Sequence, residues 1–173
     1  MDTQARIKKA LFELLDKHSF TNLTVTMICQ QAQVSRPTFY KYFIDKYDLV
    51  TTDYEEEMTR CMNHDSWWQI MISALSYIRE HQTYIREILN YHGQNSFVDF
   101  LLDYTRKCTV SLIKSKEILN SAKMNYSLSI YTYGVCYTLI DWVKDGCHDS
   151  PEDFTRILSI EMPTTLKKYL LTK

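Results

Sequence analysis

The sequence predicts an all-α protein: an N-terminal three-helix domain containing a helix-turn-helix over residues 1–48, then a helical bundle over residues 49–173, about nine helices in all. Three observations carry this. Apolar residues recur at helical spacing along nearly the whole chain. Three glycines and three prolines in 173 residues are too few for an all-β or loop-rich protein. Residues 24–46, TVTMICQQAQVSRPTFYKYFIDK, read as two short helices joined by a tight turn.

The first helix, RIKKALFELLDKHSF, is amphipathic. Thr24 is placed to cap the second, because its hydroxyl can accept an orphan backbone N–H. Val25, Ile28, Cys29 and Ala32 then form that helix's apolar face, and the turn Ala32-Gln33-Val34 directs Val34 inward. Ser35 caps the third helix and Pro37 sits in its first turn, where a missing N–H costs nothing. Phe39 and Phe43, four apart, pin it to the core. Arg36, Thr38, Lys41 and Tyr42 are left facing outward, with Tyr40 at the flank. Asp45 and Asp48 form a variant capping box for the fourth helix, and Lys46 just inside it is placed to meet a phosphate. This is the layout in which a second helix enters the major groove of DNA. Arg36 is the expected base reader, since its guanidinium fork matches the O6 and N7 acceptors of guanine.

The fourth helix runs on to about Asn63 and is expected to bridge the two domains. Asp65 or Ser66 caps a fifth reaching about His81, with Trp68, Ile72, Leu75 and Ile78 or Arg79 in register. Tyr84–Tyr91 make a short sixth helix closed at Gly93, and Ser96 with Asp99 begins a seventh over roughly Phe97–Lys116. A polar stretch, SKEILNSAK, has no assigned form. The eighth helix starts near Tyr126 and stops at Gly146, a natural left-handed end. Ser150, Pro151 and Asp153 start the ninth, which Pro163 interrupts or kinks.

The net charge of −1 conceals an asymmetry: residues 1–48 carry +2 and the remainder −3. A basic head on an acidic body suits approach to DNA by one end. Five cysteines (Cys29, Cys61, Cys108, Cys136, Cys147) show no metal or redox spacing. With no secretory N-terminus and no apolar run of membrane-spanning length, they point to reduced thiols and a cytoplasmic address. Cys61-His64-Asp65 and Cys147-His148-Asp149 supply too few ligands for a metal site. His18, His81 and His92 have no sequence-near catalytic partner, and there is no phosphate-cradling glycine loop, GxSxG or HExxH. No enzyme, metal or cofactor is expected.

From about Arg6 to Val50 the sequence resembles the DNA-binding domain of TetR-type transcriptional regulators. The likeness rests on the amphipathic first helix, the LTV that opens the second, and VSRPTFYKYF followed by DK and an apolar pair. Two positions depart from the family pattern: Gln33 stands where glycine is usual, at a position tending to need positive φ, and Thr26 stands where a long polar residue is common. The resemblance implies DNA contacts at ten positions. Thr24 and Thr26 donate to phosphates, Ser35, Arg36, Pro37 and Thr38 lie nearest the base edges, Tyr40, Lys41 and Tyr42 follow the groove wall, and Lys46 clamps the backbone. More weakly, YTYGVCYTLIDWVKDGCHDSPEDFTRIL resembles the C-terminal domain of a TetR subgroup that includes regulators of dihydroxyacetone kinase operons. That likeness implies a homodimer whose last two long helices, here the faces of 126–145 and 151–171, pair across a two-fold axis.

Thirteen Tyr, seven Phe and three Trp fall mostly in the body. Tyr77, Tyr91, Phe97, Phe100, Tyr104, Tyr131 and Tyr137 lie on helices that would surround its centre. They read either as ordinary core or, as the family resemblance implies, as the wall of a small-molecule inducer pocket. The expected function is that of a dimeric regulator of a palindromic double-stranded operator, a repressor released by a small ligand. The alternatives are an activator controlled by a partner protein, or a helical interaction protein that does not bind DNA.

Overall fold

Helix-start chemistry and apolar spacing build ten α-helices among the residues that the computed structural model describes, namely 2–90, 96–113, 119 and 121–171. The expected turn at Gly93, the position of Tyr91 and most of the 115–120 stretch lie outside the described residues. No strand occurs among the described residues. The helices are α1 (Thr3–Leu15), α2 (Val25–Ala32), α3 (Arg36–Tyr40), α4 (Lys46–Cys61), α5 (Trp67–Glu80), α6 (Gln82–Leu89), α7 (Phe97–Leu112), α8 (Ala122–Lys144), α9 (Pro151–Ile160) and α10 (Thr164–Leu170). They group into two compact units, Met1–Glu57 with Thr83–Phe97, and Met58–Gln82 with Val98–Lys173.

In the first unit, α1 buries Ile7, Ala10, Leu11, Leu14 and Leu15, one continuous stripe. A single 3₁₀ turn, Phe20–Asn22, leads to α2. Thr24 caps α2 by accepting from the Met27 N–H at 3.2 Å. The far end of α2 is a Schellman closure, with Val34 N–H donating to Cys29 O at 3.0 Å and Gln33 N–H to Gln30 O at 3.2 Å. Gln33 adopts φ 53°, the left-handed conformation expected of a glycine-preferring position. Arg6 offsets part of this strain: Nη2 donates to the carbonyls of Ala32 at 2.6 Å and Gln33 at 2.9 Å. Gln33→Gly is therefore expected to stabilise this unit by up to about 1 kcal/mol, less the added freedom of glycine in the unfolded chain. A higher urea midpoint would register it.

Phe39 and Phe43 are both fully buried, their ring centroids 5.7 Å apart. The carboxylate of Asp45 accepts from the Tyr47 and Asp48 N–H groups, both at 2.8 Å, and Asp48 reciprocates by accepting from Ile44 N–H at 2.8 Å. The variant capping box thus forms. Lys8 of α1 bridges to α4, 3.5 Å from Asp53 and 2.6 Å from Glu56. From α6, Tyr84 sets its ring edge-on to Phe12 at 4.8 Å, while Phe97 meets Tyr54 edge-on at 5.3 Å.

In the second unit Ser66 caps α5 through Gln69 N–H at 3.3 Å. The buried stripe of α5 is Trp67, Ile70, Leu75 and Ile78, so the expected register through Trp68 and Ile72 is corrected. Trp68 is exposed and Ile72 only half-buried. Both phases satisfy helical spacing at Leu75 and Ile78, and only the neighbouring helices choose between them. The eighth helix begins four residues earlier than expected, because Ser121 caps it through Met124 N–H at 3.2 Å. It ends as a second Schellman closure: Gly146 has φ 92°, Cys147 has φ 53°, and the Cys147 N–H reaches Trp142 O at 2.8 Å. Trp142 stacks on Phe154 of α9 at 5.0 Å. Pro163 divides the last expected helix into α9 and α10, where a proline cannot supply an interior N–H.

Among the described residues one face of α8 is apolar and exposed. Tyr126, Ile130, Tyr133 and Tyr137 are 73, 66, 56 and 53% exposed, a stripe at near-heptad spacing. Ile157 and Ile160 of α9 are exposed as well. Gly134 lies within that stripe, and a Cβ built there would meet nothing within 4 Å. Among the described residues nothing crowds this mid-helix glycine, which costs about 1 kcal/mol against alanine.

Candidate nucleic-acid interface

The reading face is assembled from two caps and one short helix. Ser35 Oγ accepts from the Thr38 N–H at 3.1 Å and sits 2.7 Å from the Thr38 hydroxyl, fixing the leading end of α3. Backbone bonds continue the helical turn past Tyr40, with Phe43 N–H on Phe39 O at 3.0 Å. Burial of Phe39 and Phe43 then turns the opposite side outward. Thr24, Thr26, Ser35, Arg36, Pro37, Tyr40, Lys41 and Tyr42 are exposed, and Thr38 is half-buried.

Two cations on this face rest on rings. The guanidinium carbon of Arg36 lies 5.9 Å from the centre of Tyr40, one turn later, and Nη2 donates to the Tyr40 hydroxyl at 3.4 Å. Lys41 Nζ lies 5.7 Å from the centre of Tyr42. Stacking of this kind restricts a long side chain before any partner arrives. Ile44, absent from the sequence-based set, is 79% exposed at the end of the same face.

Lys46 is directed otherwise than its position in the chain suggests. Its ammonium points into the head, donating to the carbonyls of Phe20 at 2.7 Å, Thr21 at 3.1 Å and Leu23 at 2.8 Å. It also lies over the rings of Phe20 at 4.8 Å and Tyr47 at 5.4 Å. An ammonium has three N–H donors, and these three carbonyls occupy them all. Burial pulls its pKa below the usual lysine value, opposed by the nearby Asp45 carboxylate. Spacing along the chain places Lys46 in the first turn of α4 but leaves its direction open: three carbonyls from a distant turn compete for the same charge.

The aromatic residues expected to line a pocket differ in their burial and partners. Tyr131 is buried and its oxygen accepts from Trp67 Nε1 at 3.0 Å, while burial pushes the phenol well above its ordinary pKa. Phe100 and Tyr104 stack at 5.7 Å, and Tyr77 lies 4.5 Å from the His81 ring. Tyr137 faces outward on the α8 stripe, and Phe97 belongs to the core of the first unit. Tyr91 lies outside the described residues. Among the described residues no group of three or more metal-ligating side chains occurs, and no helix is long and apolar enough to cross a membrane.

Residues 7–51, which contain the whole reading face, match the profile of bacterial regulatory proteins of the tetR family. Residues 65–163 match that of a transcriptional regulator C-terminal region. The chain belongs to the TetR family. The TetR-family relatives include the dhaKLM operon transcriptional activator DhaS of Lactococcus lactis subsp. lactis (strain IL1403), 29% identical over 90 residues, 50% of this chain and 48% of that protein. YxbF of Bacillus subtilis (strain 168), an uncharacterised transcriptional regulator, is 23% identical over 163 residues, 86% of this chain and 42% of that one. The chain thus spans about half the length of these two relatives. Among solved structures, the dihydroxyacetone kinase operon activator DhaS aligns with a TM-score of 0.71 at 19% identity, covering 97% of this chain and 98% of that chain. The Bacillus subtilis regulator FadR in complex with stearoyl-CoA aligns at 0.56 with 15% identity, covering 96 and 97%. Both show the all-α TetR fold. The TetR-family relatives are transcriptional regulators, not enzymes.

Proposed function

We propose that the protein is a homodimeric, cytoplasmic transcriptional regulator that reads a palindromic double-stranded operator through α3, as a repressor released by a small ligand. The reading face carries this proposal: a proline-started, serine-capped helix with its aromatic side buried and Arg36, Lys41, Tyr40 and Tyr42 outward. Thr24 and Thr26 at the front of α2 supply hydroxyl donors toward phosphate, Ser35, Pro37 and Thr38 approach the base edges, and Arg36 reads guanine. A second copy of the chain covers the α8 stripe, with Gly134 allowing the two helices to come close. Two α3 helices then meet half-sites about 34–36 Å apart, which a single short helix cannot replace.

Tyr77, Phe100, Tyr104 and Tyr131 are the proposed ligand-facing residues of the body. A ligand preferring the dimer form with mismatched reading heads shifts the population away from DNA; one with equal affinity for both forms does nothing. The name of DhaS favours a second reading, activation, in which a partner protein supplies the differential binding. Selection of bound duplexes from a random pool, followed by release assays with small molecules, tests the proposal. An enriched palindrome is expected. Equal recovery of all sequences at moderate ionic strength would leave only the helical interaction protein.

A further inference from the structure

The Phe20–Asn22 turn is gripped from two sides by elements outside it. Lys46, the first residue of α4, holds three carbonyls spanning Phe20 to Leu23. Glu87 of α6 accepts from the Phe20 N–H at 3.2 Å through Oε2. The ring of Phe20 is buried, with the Lys46 ammonium over it at 4.8 Å and Tyr47 edge-on at 5.3 Å. A cation in the first turn of a helix opposes the helix dipole, so α4 alone gives no reason for Lys46 to be there. The carbonyl cradle does.

What the clasp controls follows from the chain. Leu23, whose carbonyl Lys46 holds, directly precedes Thr24, the cap of α2. The other end of α2 is tied by Arg6 through Ala32 O and Gln33 O. Helix α2 is thus fixed at both ends, and α3 follows it after a three-residue turn. A recognition element must be held to about 0.5 Å and 10–20° to stay productive.

We propose that Lys46 and Glu87 are positioning residues for DNA reading, clasping the Phe20–Leu23 turn and so setting the angle at which α2 and α3 meet the groove. The proposal rests on the DNA-binding reading given above. Neither side chain touches DNA in it. Glu87 lies more than forty residues beyond the reading segment, on a helix the chain reaches only after passing through the second unit.

The test uses the full chain and the duplex enriched by selection, at a temperature where circular dichroism shows every variant fully folded. Glu87→Leu removes the acceptor and Glu87→Gln keeps one. Glu87→Leu is expected to bind the selected duplex about tenfold more weakly, the order of one charge-assisted hydrogen bond, with Glu87→Gln near wild type. Affinity for a scrambled duplex should be unchanged in both. Lys46→Met should lose matched affinity without altering the salt slope, because no phosphate contact is removed. A slope shallower by about 0.9, the value of one phosphate, would restore the clamp and overturn the proposal for Lys46. Folded Glu87→Leu binding as wild type would overturn it for Glu87, leaving a contact that serves stability alone. Should Lys46→Met not fold, Glu87→Leu decides. Failure of the wild type to prefer any duplex is a separate result, and it removes the DNA-binding reading itself.

Discussion

Arg36→Ala is expected to lose about 1–3 kcal/mol on the selected duplex, roughly five- to 150-fold in affinity, and far less on a scrambled one. The side chain is exposed at the leading end of α3. It contacts the ring and hydroxyl of Tyr40 on the same short helix, and its charge also acts on Cys29 of α2. An exposed position limits the cost of the substitution to folding. The change should fall on discrimination, at one base pair per half-site, when variant and wild type are compared by sequencing the bound pools. Equal losses on matched and scrambled duplexes would instead make Arg36 a phosphate contact.

Placing charge on the α8 stripe is expected to have the larger effect. Ile130→Glu combined with Tyr133→Glu sets like charges against their own copies across the proposed two-fold axis, where juxtaposition costs several kcal/mol. Both positions are exposed in the protomer, so its fold should survive. Sedimentation at micromolar concentration should show a single subunit. Operator affinity should drop by about 10²–10⁴-fold, because the second half-site no longer binds at high effective concentration. A charged variant that remains a dimer would move the interface away from this face.

Much of the reading head was legible because its signals are local. Thr24, Ser35 and Asp45 cap helices through bonds to residues two or three positions later, and each bond formed. Gln33 was marked by the turn itself, and the backbone there is left-handed. Capping and turn chemistry depend on the nearest neighbours, so one short window of sequence contains both partners. The division at Pro163 follows for the same reason.

Other assignments depended on partners that no window contains. Lys46 had an obvious phosphate-facing role until three carbonyls from the Phe20–Leu23 turn claimed its donors. Arg6 and Glu87 gave no signal, because each acts on a backbone group far along the chain. The seven aromatic positions shared helical spacing but not direction: Tyr131 is buried while Tyr137, on the same helix, is exposed.

Local chemistry along the chain is enough for the helical class, most helix starts, the left-handed turn and the residues that α3 shows to solvent. Tertiary structure alone decided the phase of α5, the inward turn of Lys46, and the grouping of residues 83–97 with the first unit. The physical reason is range. Caps and turns are satisfied within one helical turn, whereas a charge or an apolar face settles on whichever distant group completes its hydrogen bonds or excludes its water.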